Sequence, residues 1–260
     1  MPRIDSGIID LCIETAELGG DISLKNQDKV SRNTKQDGSI VTRIDKAVEK
    51  EIKEILNEQS EYSILGEEFG GNVDNEDSYW IIDPIDGTHN YSVGHPTFAT
   101  SVALVINNTP FACAVNFPHL NNTLYAQKNK GAYLNDSIIT VTNNTYNDYN
   151  LIGLTGKNRN ELYGSLSNKF GNIQITGSAV YDSCCVSAGW IDGLLFSDLM
   201  PWDIASGVIL TREAGGKVEN LHTGSTDWGD VSNNGFFWNG DEEIKNMVKQ
   251  SLNKDELKKV

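Results

Sequence analysis

Apolar positions along the chain recur at two periods, and the period changes near the middle. Ile8, Cys12 and Thr15 share one helical face. A helix is predicted from a cap at Asp5 or Ser6 to about Leu18, with Gly19-Gly20 ending it. Residues 25–39, closing in Lys35-Gln36-Asp37-Gly38, are too polar for a core and are expected to form a mobile flap. Ile44, Val48, Ile52, Ile55 and Leu56 return to helical spacing and predict a helix over 44–57. Thr42 with Asp45 resembles a capping box at its start, with Asp where Glu or Gln is usual.

Strand signals follow. Residues 62–65 predict a short strand, and 79–82 a buried one that stops abruptly at Asp83-Pro84. Residues 97–106 and 111–116 predict a hairpin across 107–110, and 123–127 with 131–134 a second one. The Asn- and Thr-rich stretch 135–150 suggests a boundary between two lobes, 1–145 and 146–260. Beyond it, predicted strands at 151–155, 173–176, 193–197, 217–219 and 236–239 are interspersed with predicted helices at 160–168, 178–188, 202–214 and 242–252. That order argues for helices with an antiparallel meander first, then an α/β lobe with partly parallel strands.

Composition narrows the function. Twenty-one basic residues face 36 acidic ones, a net charge of −15. No basic stripe is present, which argues against binding a nucleic-acid backbone. The same charge would repel a phosphorylated small molecule unless divalent cations stood between them. Cys12, Cys113, Cys184 and Cys185 show no metal or disulfide spacing and read as buried thiols, so a reducing cytoplasm is the expected location. The N-terminus lacks a secretory pattern, and the longest apolar run, 98–106, is too short to span a bilayer.

Candidate chemistry gathers at residues 80–91. Asp83 and Asp86 stand three apart at a predicted strand end, followed by Gly87-Thr88. Paired carboxylates suit a hard cation, and amides in a glycine turn suit an anion. Asp-Pro-x-Asp-Gly is also an ordinary turn sequence, and these residues alone leave both readings open. Glu67 and Glu68 follow another predicted strand between glycines, either as a ligand with a solvated neighbour or as an acidic loop. Asp203 lies in the first turn of a predicted helix, where an acid also favours the helix dipole. The histidines at 89, 95, 119 and 222 show no metal spacing.

Four blocks in order resemble the inositol monophosphatase-like, Mg²⁺-dependent and lithium-sensitive phosphatase superfamily. They are Val41-Thr42-x-x-Asp45, Gly66-Glu67-Glu68, the run from Trp80 to Tyr91, and Pro201-Trp202-Asp203-Ile204-Ala205-Ser206-Gly207 with Glu213-Ala214-Gly215-Gly216. Gly177-Ser178-Ala179 before a predicted helix fits a further element.

The resemblance implies a layered α-β-α-β-α sandwich, with an antiparallel sheet in the N-terminal lobe and a mixed sheet in the C-terminal lobe. It implies that Glu67, Asp83, the Ile85 carbonyl, Asp86 and Asp203 ligate two or three Mg²⁺ ions. Gly87, Thr88 and His89 would present amides to a phosphate, and Asp203 would also meet the substrate. Asp45 would hydrogen-bond Thr88, which with Glu67 orients the attacking water. The expected activity is hydrolysis of a small phosphate monoester, with inositol 1-phosphate first and fructose 1,6-bisphosphate or histidinol phosphate as alternatives. Similar proteins are often dimers, so a homodimer is left open.

Departures bear on the substrate. Inositol-directed members carry a Glu seven residues before the last motif Asp, and here that position is Phe196, with Ser197 and Asp198 beside it. Two readings from other classes compete. Haloacid dehalogenase-type phosphatases share an Asp-x-Asp-Gly-Thr motif with a covalent nucleophile, but here two residues, Pro84 and Ile85, separate the carboxylates. A non-catalytic metal-binding regulator would be expected to have lost a ligand, and all four carboxylates are present.

Overall fold

Five layers alternate helix, sheet, helix, sheet, helix in the computed structural model, which describes residues 7–29, 32–34, 40–147 and 149–260. The outer helical layer is α1 (Gly7–Asn26) with α2 (Arg43–Gln59). α1 does not end at Gly19-Gly20. Both glycines are buried where the helix presses on the first sheet. A Cβ on Gly19 would collide with the Thr100 side chain, and one on Gly20 with the Asn116 carboxamide. They are packing glycines, which permit close approach and do not break the helix.

Short strands β1 (Arg32–Thr34) and β2 (Ile40–Thr42) pair antiparallel, with Asn33 opposite Val41, where a flap was expected. Residues 35–39, with Asp37 and Gly38, lie outside the described residues, as do the Asp5 and Ser6 caps and the Thr42 side chain of the capping box.

The first sheet has seven strands in sequence order: β3 (Ser63–Gly66), β4 (Tyr79–Asp86), β5 (Ala99–Ile106), β6 (Thr109–Phe117), β7 (Asn122–Gln127), β8 (Gly131–Leu134) and β9 (Ser137–Ile139). Its pairs are antiparallel except β3 with β4, which run parallel. Every residue of β4 is buried, because helices cover both faces of the sheet and remove the usual alternation. β4 also continues through Pro84 to Asp86. The pairing register shifts between Asp83 and Asp86, and a bulge is where a strand tolerates a proline that cannot donate to its neighbour. Asn107 and Asn108 make the β5–β6 turn, both at positive φ, 50° and 52°, as a two-residue hairpin turn requires. β9 falls within the stretch read as a lobe boundary.

A five-residue helix α3 (Thr88–Ser92) follows β4. The second sheet contains β10 (Leu151–Gly156), β11 (Asn172–Gln174), β12 (Gly193–Ser197), β13 (Lys217–Glu219) and β14 (Gly235–Trp238), in spatial order β11-β10-β12-β14-β13. β10 runs parallel to β11 and β12, while β14 is antiparallel to β12 and β13, so the sheet is mixed. The remaining helices are α4 (Arg159–Leu166), α5 (Ala179–Ser187), α6 (Pro201–Glu213), α7 (Trp228–Val231), α8 (Glu242–Ser251) and α9 (Lys254–Leu257).

α5 and α6 form the middle layer between the sheets, and α4 with α8 the far outer layer. One apolar cluster joins Ile81, Val115, Cys184, Val208 and Phe237 across the middle layer. All four cysteines are free and buried, as their spacing suggested. No described helix is long and apolar enough to cross a membrane.

Candidate active site

The end of β4 brings three carboxylates together with the first turn of α6. Ligand atoms of Asp83, Asp86 and Asp203 all lie within 4.8 Å of one another, the first two buried and the third half-buried. Burial pushes the Asp83 carboxyl well above its ordinary range, and the charges of Glu67, Asp86 and Asp203 push it further. Burial also raises Asp86, to about 6, against hydrogen bonds that hold it down. Those bonds come from the start of α5: the Ser178 hydroxyl donates to Asp86 Oδ2 and the Ala179 amide to Oδ1 at 3.2 Å. Ser178 also caps α5, accepting the Tyr181 amide at 3.1 Å.

Asp203 likewise serves its helix, its Oδ2 accepting the Met200 amide at 2.8 Å. The capping and ligand readings of this residue therefore coexist on one side chain.

Glu67 stands outside the 4.8 Å group but lines the same cleft. Its amide donates to Ile82 O at 3.2 Å, which ties the turn after β3 to β4. Thr88 sits in the first turn of α3, where its hydroxyl is 3.0 Å from Ile85 O and 3.3 Å from Asp45 Oδ1. One proton serves two acceptors, so the hydroxyl can satisfy either. Gly87 adopts φ 76°, and a Cβ there would stand 3.0 Å from Thr97 O and 3.2 Å from Ser178 Cβ. Only glycine fits this turn without strain. His89 is exposed at the mouth of the cleft.

The cleft measures about 710 Å³. Lys157, Arg159 and Asp198 line it together with Ile175, Leu199, Met200 and Trp202. Lys157 pairs with Asp198 at 2.9 Å, and both are largely exposed. Phe196 does not face this space. It is fully buried, with its ring 4.9 Å from that of Phe237, so Asp198 and not Phe196 is the cleft-lining residue of this segment.

A larger cavity of about 910 Å³ includes Arg212, Lys217, Trp238 and Lys245 and none of the clustered carboxylates. Its lysines are already paired, Lys217 with Glu242 at 2.8 Å and Lys245 with Glu219 at 3.1 Å. The chemistry selects the smaller cleft.

The acidic cluster fits a cation. Asp83 Oδ1 is buried and accepts no hydrogen bond among the described residues. Neighbouring carboxylates raise one another, an arrangement that a divalent ion bound by oxygen ligands relieves.

Sequence reasoning missed two supports of the site. Glu49 on α2 is fully buried and accepts the amides of Glu68 at 2.6 Å and Phe69 at 3.1 Å. Its position one turn after Asp45, beside the apolar stripe of α2, was the available signal. Asn90 donates to Thr97 O at 2.9 Å, Thr97 Oγ1 at 3.0 Å and Thr176 O at 3.0 Å. It ties the motif after β4 to the loop that leads into α5.

Residues 9–254 match the model of the inositol monophosphatase family. A Thermotoga maritima protein named fructose-1,6-bisphosphatase/inositol-1-monophosphatase is 34% identical over 251 residues, covering 91% of this chain and 94% of the relative. The Haemophilus influenzae protein named Nus factor SuhB is 30% identical over 233 residues, covering 84% of this chain and 87% of the relative. Among solved structures, a Thermotoga maritima IMPase superposes with a TM-score of 0.86 at 29% identity, covering 95% of this chain and 98% of that one.

Proposed function

The chain belongs to the inositol monophosphatase family and is a phosphatase, and we propose that it hydrolyses inositol 1-phosphate with two or three Mg²⁺ ions. The observation that carries the reading is the convergence of Asp83, Asp86 and Asp203 within 4.8 Å at the cleft. Glu67 and the Ile85 carbonyl complete the proposed ligand set. Bound Mg²⁺ would supply a more acidic water and positive charge for the phosphoryl group and the leaving oxygen.

The chain's own groups do the rest. Asp45 can take the Thr88 hydroxyl proton in a hydrogen bond, which turns a Thr88 lone pair toward water. Thr88 and Glu67 then orient the attacking water. The amides of Gly87, Thr88 and His89 receive the phosphate oxygens, and the positive φ of Gly87 shapes that turn. Asp203 meets the substrate as well as the ion. Asp198 supplies a hydrogen-bond acceptor for a ring hydroxyl on the cleft wall, a role Phe196 cannot take. The two-lobe division at residue 145, a homodimer and a cytoplasmic location belong to the same reading.

Fructose 1,6-bisphosphate is the second reading, favoured by Arg159 on the cleft wall and by Lys157, which would exchange Asp198 for the second phosphate. The name of the Thermotoga maritima relative covers both activities. The test is phosphate release from inositol, sugar and amino-alcohol phosphates with Mg²⁺, followed by chelation and a lithium titration. The highest kcat/KM is expected for inositol 1-phosphate, with Lys157→Ala affecting it little. A preference for fructose 1,6-bisphosphate that Lys157→Ala abolishes would establish the second reading. Release from none of them, or release indifferent to chelation, would overturn both.

A further inference from the structure

Of the proposed ligands, Glu67 alone sits on a turn. Asp83, Ile85 and Asp86 belong to β4, and Asp203 to the capped first turn of α6. A carboxylate on a turn has no regular element to fix its direction, and a metal site tolerates little misplacement. Something outside the turn must hold it.

We propose that Glu49 is a positioning residue that sets the presentation of Glu67 to the cation by anchoring the two amides directly after it. Its carboxylate is fully buried and accepts Glu68 N at 2.6 Å and Phe69 N at 3.1 Å. The other side of the turn is closed by Gly66 N donating to Gly70 O at 3.1 Å and by Glu67 N donating to Ile82 O at 3.2 Å. Gly66 is required because a Cβ there would overlap the Glu49 carboxylate.

Lys53, one turn further along α2, reaches Gly70 O at 3.4 Å and stands 3.8 Å from Glu49 Oε1. Its ammonium also lies 5.8 Å from the Phe69 ring centroid. Asp45, Glu49 and Lys53 thus recur at every fourth residue of one helix, and each holds a loop of the site: the first through Thr88, the others through residues 66–70. A buried carboxylate is a costly way to fill space, and a neutral side chain would pack there more cheaply. Two directed amide bonds justify the charge only if the turn's geometry matters.

The inference rests on Glu67 being a ligand, so the experiment separates the two. Mn²⁺ binding is measured by calorimetry without substrate on the full chain, on Glu67→Gln, on Glu49→Gln and on the double variant. The Mg²⁺ concentration for half-maximal phosphatase activity is measured alongside. Glu49→Gln is expected to weaken Mn²⁺ binding roughly 10-fold. The half-maximal Mg²⁺ concentration should rise by the same factor, with KM for the phosphate ester at saturating Mg²⁺ within about twofold of the parent.

The double variant is expected to bind Mn²⁺ no more weakly than Glu67→Gln alone, because Glu49 acts only through that residue. Additive losses, or unchanged Mn²⁺ binding in Glu49→Gln, overturn the proposal. Unchanged Mn²⁺ binding in Glu67→Gln, or none by the parent chain, overturns the ligand reading and the anchoring with it. If Glu49→Gln does not fold, hydrogen exchange of the unaltered chain decides: Glu68 and Phe69 amides should be protected before metal is added, and free exchange there refutes the anchor.

Discussion

Asp182 offers a test of the electrostatics around the site that needs no substrate. It lies on α5, one turn after the cap that holds Asp86, and it is fully buried. Oδ1 accepts the Gln174 amide at 3.0 Å, while Oδ2 has no hydrogen-bond partner among the described residues. Burial raises its pKa from 3.8 to about 7, against the Gln174 bond and the nearby Thr176, with the Asp86 charge pushing further up. A carboxyl more basic in the folded chain than in the unfolded one penalises folding wherever it is ionised. The penalty is absent below the unfolded pKa, grows as pH rises, and is complete above the folded pKa.

A rise from 3.8 to about 7 corresponds to about 4 kcal/mol when the penalty is complete, and to about 1.6 kcal/mol at about pH 5. Asp182→Asn does not titrate. Its stability relative to the parent should therefore rise by about 2–3 kcal/mol between about pH 5 and about pH 8. For a chain of this size that is a change of roughly 5–10 °C in the Tm difference. Thermal melts of both proteins in chelator at the two pH values provide the measurement. A Tm difference that stays constant to within about 2 °C would refute a buried, ionising Asp182.

Other substitutions probe the site and its frame. Asp86→Asn and Asp203→Asn should each lower kcat/KM by more than the ~10–100-fold typical of outer-shell partners while leaving the circular dichroism unchanged. Near-parental turnover of either at saturating Mg²⁺ would remove it from the ligand set. Asn90→Ala leaves the Thr97 and Thr176 carbonyls without their donor and should destabilise by about 2–3 kcal/mol in urea. A loss below about 0.5 kcal/mol would mean that these bonds are readily replaced by water. Gly20→Leu drives a side chain into Asn116 and should destabilise by about 1–3 kcal/mol, and a loss below about 0.5 kcal/mol in urea would refute the close approach of helix and sheet.

Much of this protein was legible in the sequence because the decisive signals are local. Apolar periods reported α2, β4, β12 and α6 to within a few residues, since a helix or strand in a layered fold must bury a face or a whole length. The acidic residues Asp83, Asp86 and Asp203 could be picked out as candidates at element ends, but locally a turn, a cap and a ligand read alike, and only the order of the four blocks resembling a known family pointed to a ligand set.

What the sequence could not decide depends on neighbours far along the chain. Gly19-Gly20 reads as a helix stop until Thr100 and Asn116 press against it. The parallel pairing of β3 with β4 leaves no local mark. Phe196 occupies the motif position of a substrate contact, yet its ring packs on Phe237, and Asp198, two residues on, lines the cleft. Glu49 is one more charged residue on an amphipathic helix until the turn after β3 folds onto it. Periodicity tells which residues are buried. Which atom a buried group meets, and hence whether a carboxylate is a cap, an anchor or a ligand, is set by tertiary contacts over short distances that separation along the chain does not encode.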